Sequence, residues 1–394
     1  MKIIKYLFII LIYELTLGGG GRLIEFRGIS LRILLLALVI VLTVTYLLNK
    51  NLPKKFIVGP YIILFGWVFM NCIALIIGFS QEGFNFSQAF TDIKGQLLFL
   101  TIPFFCYIFF TLENVLAIIK KVFTYNGVVI ASLQLILLGL LFFKIIPYQE
   151  TYNYLYDTQE FFFRSFPFFF YKGLIYSTFS IPFLIIFKPR FYRFFLVIIF
   201  LSVLFSFTRG LILISVISLL LTWIYKINSN IKLILFLTGI SIILSLGSIY
   251  FFDVYEIYFS SKGISDNQRL EDTLFIIQNI SVNNFLTGNG LGSLINGRVN
   301  IENSFLWIFF KYGLIGLTFW VIFLMYLFKL MRFSMKVEKF NKISICFSIT
   351  LYMLVIQSFT NPFINNTIGL TLIIIILCVF KRIHYVHSSK ISQR

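Results

Sequence analysis

A chain of 394 residues that is 59% hydrophobic and only 12% charged is not built for water, since a soluble domain carries about a quarter charged residues. Its mean hydropathy of +0.94 makes lipid the main solvent. The net charge of +18 is scattered through the connections between apolar stretches, so it reads as membrane topology and excludes a nucleic-acid footprint.

Twelve apolar stretches follow in chain order, at 6–17, 31–48, 56–79, 97–112, 122–143, 170–187, 194–207, 211–225, 233–252, 305–328, 343–359 and 364–380. The longer ones reach the roughly 20 residues that cross a bilayer core as a helix. A closed barrel would show alternating segments of about ten residues, which this sequence lacks. The expected fold is all-α, a single polytopic membrane domain over 1–394 with about twelve spans.

The first stretch follows Lys2 and Lys5 but contains Glu14 and no small-residue cleavage site, so it is expected to stay as a span. The stretches 194–207 and 211–225 are parted only by Thr208, Arg209 and Gly210. One continuous helix there would be about 48 Å long at 1.5 Å per residue, too long for a core of about 30 Å. A tight turn or a broken helix is therefore expected. Counted this way with the N-terminus in the cytoplasm, 21 of the 33 Lys and Arg residues fall inside, which supports two cytoplasmic termini.

Two outer segments stand apart. Residues 144–172 are crowded with Tyr148, Tyr152, Tyr154, Tyr156, Phe161, Phe162 and Phe163. An interfacial aromatic belt is the favoured reading there, with stacking on sugar rings the other. Residues 253–303 form the longest hydrophilic stretch, a length usually functional or organised as a subdomain. Within it, 267–280 has apolar residues at helical spacing and predicts a short helix carrying Arg269.

Arg209 between two apolar spans needs a partner, because a central charge costs roughly 2.5 to 3.5 kcal/mol on insertion scales. It is either an interfacial arginine that snorkels or caps the turn, or an anion site whose planar fork suits phosphate oxygens. Further along come Arg269, the string Gly288-Asn289-Gly290-Leu291-Gly292, then Arg298, Glu302, Asn303 and Lys311. No strand precedes the glycines, so a turn is expected and not a dinucleotide loop. Glu302 is either a general base or a charge partner for Arg298 or Lys311. The cysteines Cys72, Cys106, Cys346 and Cys378 all lie in apolar stretches, so neither a disulfide framework nor a metal site is expected. The only histidines, His384 and His387, sit in the C-terminal tail.

The order Thr208-Arg209-Gly210, Arg269, Leu286-Thr287-Gly288-Asn289-Gly290-Leu291-Gly292, Glu302-Asn303-Ser304-Phe305-Leu306 and Tyr312-Gly313-Leu314-Ile315-Gly316-Leu317 resembles the O-antigen polymerase and ligase family, on its polymerase (Wzy) side. The motifs cover 209–328, and the rest matches in span count. The resemblance implies a GT-C-like multispan glycosyltransferase in the bacterial inner membrane, with its site facing outside. It implies that undecaprenyl-diphosphate-linked oligosaccharides are joined into O-antigen or capsule, without a cofactor or metal. It implies that Arg209 and Arg269 hold the lipid diphosphate; the chemistry of the neighbouring residues, not the resemblance, makes Arg298, Asn303 and Lys311 the further substrate-binding positions and Glu302 the candidate catalytic base. The bilayer, a chain-length regulator and a flippase are the partners it implies. Ligase members place a histidine where this chain has Glu302, which favours a polymerase over a ligase. A lipid-linked oligosaccharide flippase or transporter is the rival from another class, although the two halves of the chain look unrelated.

Overall fold

The computed structural model describes residues 2–21, 23–26, 29–47, 54–81, 84–163, 166–226 and 263–391. The expected span at 233–252 lies outside them. Although 170–187 begins on the strand Phe169–Tyr171 and 364–380 becomes helical only at Thr367, the other eleven expected spans fall mainly on helices. These are α1 (Lys2–Leu17), α2 (Leu31–Leu47), α3 (Lys54–Phe79), α4 (Phe86–Lys94), α5 (Ile102–Thr111), α6 (Val115–Phe142), α7 (Tyr148–Asp157), α8 (Ile175–Phe187), α9 (Tyr192–Phe205), α10 (Arg209–Lys226), α11 (Gly263–Gln278), α12 (Val282–Thr287), α13 (Ser304–Met335), α14 (Asn341–Gln357) and α15 (Thr367–Ile391). Two short antiparallel pairs, Glu25–Phe26 with Ile29–Ser30 and Phe161–Phe163 with Phe169–Tyr171, are the only sheets among the described residues.

By length and apolar composition five of these helices can cross a membrane, six when the pair Phe86–Lys94 and Gln96–Thr111, bent by 50°, counts as one span. Four shorter apolar helices stand beside them, at Leu31–Thr45, Lys172–Phe187, Tyr192–Phe205 and Arg209–Tyr225. This is an all-α polytopic membrane protein. Its outer surface displays Ile62, Phe65, Leu133, Ile136 and Ile322, side chains that water would reject and lipid accepts. The centre of the bundle is α15, 83% of whose apolar window is buried; every side chain from Leu370 to Phe380 is out of reach of solvent.

Helices α9 and α10 are separate, as the length of the bilayer core requires. The break is made by Phe207, whose φ is +46°, and by Thr208, whose carbonyl accepts from the N–H groups of Leu211 at 3.0 Å and Ile212 at 3.1 Å. A second break lies inside α13 at Gly313, with φ +60° and ψ −153°. A Cβ there would lie 2.5 Å from the Leu286 carbonyl, so only glycine fits. The break leaves carbonyls without helical donors. The glycine turn supplies them, with Asn289 N–H to Phe310 O at 2.8 Å and Gly290 N–H to Lys311 O at 3.1 Å.

The turn itself has positive φ at Gly288, Gly290 and Gly292. Its remaining amides are spent on the protein too: Leu291 donates to Ala74 O at 2.9 Å and Gly292 to Asp92 Oδ2 at 2.8 Å. It is a structural turn, not a phosphate cradle. Beside it a buried chain of hydrogen bonds runs from Trp67 through Gln96 and Tyr312 to Asn71. These bonds join α3 and the bent segment to α13.

Sequence reading did not foresee α4. Asp92, Lys94 and Gly95 interrupt the apolar run before residue 97. The charge that broke the pattern is neutralised by Lys311, whose Nζ lies 2.7 Å from Asp92 Oδ2 with both side chains fully buried.

The aromatic segment folds as α7 and a hairpin. Glu160 at the hairpin's start accepts from Gly20 N–H at 2.7 Å, Tyr171 donates to Leu17 O, and Arg32 donates to Glu14 at 2.8 Å. The Tyr171 hydroxyl thereby fastens the hairpin to the end of α1.

Candidate functional site

One end of the bundle gathers the turn after α1, the hairpin, the break between α9 and α10, the segment 263–303 and the turn between α14 and α15. Direct bonds tie them together. Ser304 N–H donates to Ser358 O at 3.0 Å, Ser304 Oγ donates to Asn361 O at 3.2 Å, and Thr367 Oγ1 donates to Gly20 O at 3.4 Å. The 357–366 turn is the hub.

At this end lies a cavity of about 270 Å³. Its wall takes Phe162, Phe170 and Lys172 from the hairpin, Thr208 from the helix break, Arg298, Asn300 and Glu302 from the long segment, and Gln357, Asn361 and Asn366 from the hub. Lys172 also lies over the Phe162 ring, with its Nζ 5.3 Å from the centroid.

Each residue singled out in the sequence has a definite place. Arg209 is half-buried and opens α10 one residue after Thr208. Its neighbour Gly210 abuts the hub so closely that a Cβ would lie 2.6 Å from Gln357 Nε2 and 3.3 Å from Asn361 Nδ2. Arg269 projects from α11 and grips Glu302 with Nε and Nη2; its Nη2 also donates to Thr360 O at 3.5 Å. Arg209 and Arg269 thus stand on elements that touch the same turn, at Gln357, Thr360 and Asn361.

Glu302 pairs with Arg269, not with Arg298 or Lys311 as a charge-partner reading would have it. Arg298 instead donates to Asp272, one turn along α11 from Arg269. The Arg269 and Glu302 side chains keep 39% and 43% of their surface exposed, and an ion pair that open is worth about 0 to 1 kcal/mol. A stronger anion can take its place.

Asn303 caps α13, its Oδ1 accepting from Phe305 N–H at 3.0 Å and Leu306 N–H at 3.1 Å. Its distinct asparagine requirement is met by the helix start. Lys311 is fully buried against Asp92 and the Ser293 carbonyl and is not part of the cavity wall. Lys172, Gln357, Asn361 and Asn366 line the cavity but were not picked from the sequence. The signal for the last three was present as a run of polar residues, Gln357, Ser358, Thr360, Asn361, Asn365 and Asn366, between two apolar stretches.

Among the described residues no group of His, Cys, Asp and Glu is placed to hold a metal ion. The histidines pack on Phe333, with ring centroids 4.4 Å from His384 and 5.5 Å from His387, on helices far along from the cavity. What the cavity offers is two cationic side chains, Lys172 and Arg298, one carboxylate, Glu302, side-chain amides and two aromatic faces.

No family model matches the chain. The O-antigen polymerase of Shigella flexneri is 30% identical to it over 376 residues, which cover 93% of this chain and 92% of the relative.

Proposed function

The chain belongs to the O-antigen polymerase family, and from that membership we propose that it polymerises lipid-diphosphate-linked oligosaccharide repeat units at the outer face of the cytoplasmic membrane. The observation that carries this reading is the cavity shared by Lys172, Arg298 and Glu302, with Arg269 held over it by Glu302 and Arg209 beside its wall. Both chain termini are cytoplasmic in this reading, on the bias of basic residues.

The reaction needs four things: the anomeric C–O bond to the diphosphate breaks, its electron pair leaves with the diphosphate oxygen, the acceptor hydroxyl oxygen bonds to the anomeric carbon, and its proton is removed. Arg209 and Arg269 meet the charge that grows on the leaving diphosphate, the electrostatic contribution that is the largest in many enzymes. Arg298, fixed by Asp272, and Lys172 extend the same field. When the diphosphate takes over Arg269, Glu302 is released to accept the hydroxyl proton, a role worth a factor of about 10² to 10⁴. Asn303 sets the position of Glu302 by starting the helix behind it. Lys311 acts through the fold, holding the glycine turn rather than the substrate.

The ligase reading needs a histidine next to Asn303, where this chain has Glu302. A flippase or transporter is separated by a direct test. Purified protein supplied with lipid-linked repeat units in detergent, with no sealed compartment, should yield polymer. Repeat units left single by folded protein would remove the polymerase reading.

A further inference from the structure

A second cavity, of about 370 Å³, opens on the other side of the 263–303 segment. Its wall is made by Gln81 and Phe84 from the connection between α3 and α4, by Gln88 from the first turn of α4, by Phe275 and Asn279 from the end of α11, and by Asn289, Ser293 and Phe310. Among the described residues no charged side chain lines it. Among the described residues the two cavities therefore differ: the first carries Lys172, Arg298 and Glu302, the second amides and phenyl rings without a charge.

We propose that this second cavity is a binding site for the uncharged sugar residues of the glycan, an inference that rests on the polymerase reading of the first. An amide side chain both donates and accepts, which is what a sugar hydroxyl also does. The side-chain amides of Gln81 and Gln88 make no hydrogen bond to the described protein, while both face the cavity. Phe275 and Phe310, with centroids 6.2 Å apart, supply apolar faces for the C–H side of a sugar ring. A few placed polar groups on an apolar wall is the usual composition of a small-molecule site.

The floor is fixed in place. Gly292 and Ser293 rest on Asp92 and Lys311, and Leu291 is bonded to α3 through Ala74. One helix runs from one cavity toward the other: Arg269 and Asp272 of α11 pair with Glu302 and Arg298 of the first wall, and Phe275 of the same helix lines the second. Phe275 stands six residues beyond Arg269, about 9 Å along the axis at 1.5 Å per residue. A glycan whose diphosphate lies at Arg269 is led along α11 into the amide cavity.

The test uses the repeat-unit oligosaccharide freed from its lipid diphosphate by mild acid, titrated onto the purified full-length protein and followed by saturation-transfer NMR. Wild type should show saturable binding. The double variant Gln81→Leu/Gln88→Leu, checked for an unchanged melting temperature, should weaken it at least tenfold, and Asn279→Ala should weaken it in the same direction should the double variant not fold. Arg269→Ala should change it less than twofold. No binding by wild type, or equal binding by the folded amide variants, overturns the site. Failure is separable from failure of the polymerase reading. Sugar bound in this cavity by a protein that forms no polymer leaves the site standing without the reaction. Polymer formed by the double variant at the wild-type KM leaves the reaction without the site.

Discussion

Two ion pairs of the same chemistry sit in this protein in opposite settings. Lys311 and Asp92 meet with no exposed surface, between a broken span and a bent one. Arg269 and Glu302 meet with about two fifths of each side chain exposed, on the rim of a cavity. The first pair is committed, because removing either partner strands a charge where nothing else can neutralise it. The second is available, because its exposed members lose little by letting go of each other. Burial, not residue type, separates the two pairs.

The largest effect that sharpens this contrast is on stability. Lys311→Met should cost roughly 3 to 5 kcal/mol by leaving Asp92 buried and unpaired, seen as a lower melting temperature and less protein in the membrane. Adding Asp92→Leu should recover most of that loss, since two apolar groups replace the pair. A single variant as stable as wild type would break the comparison at its buried end.

Next in size is Glu302→Gln, which should slow turnover by a factor of about 10² to 10⁴ while the melting temperature barely moves. Turnover at the wild-type rate would remove the general base. The smallest effect is at Asn303→Ala, which should cost about 1 kcal/mol through loss of the cap on α13. Thermal melting measures it, and a much larger loss of activity than of stability would return Asn303 to the substrate.

Much of this architecture is legible in the sequence because lipid imposes a simple rule, and a run of apolar residues long enough to cross cannot be much else. The break between α9 and α10 follows from the thickness of the bilayer, and the turn at 288–292 from its glycines. Arg269, Arg298 and Glu302 are likewise visible as charges gathered in one hydrophilic segment. Their pairing is not. Whether Glu302 meets Arg269, Arg298 or Lys311 depends on how α11 docks, and no local pattern encodes that. Asp92 finds Lys311 across 219 positions of sequence, so the helix that carries it looked like an interruption. The hub at 357–366 was passed over as a short connection because its polar residues carry no charge.

The most direct test of the account is chain extension by purified Arg209→Ala and Arg269→Ala proteins supplied with lipid-linked repeat units. Both should remain folded, with melting temperatures close to wild type, and both should leave the repeat units unjoined. Polymer of wild-type length from both variants would contradict the assignment of these guanidinium groups to the lipid diphosphate.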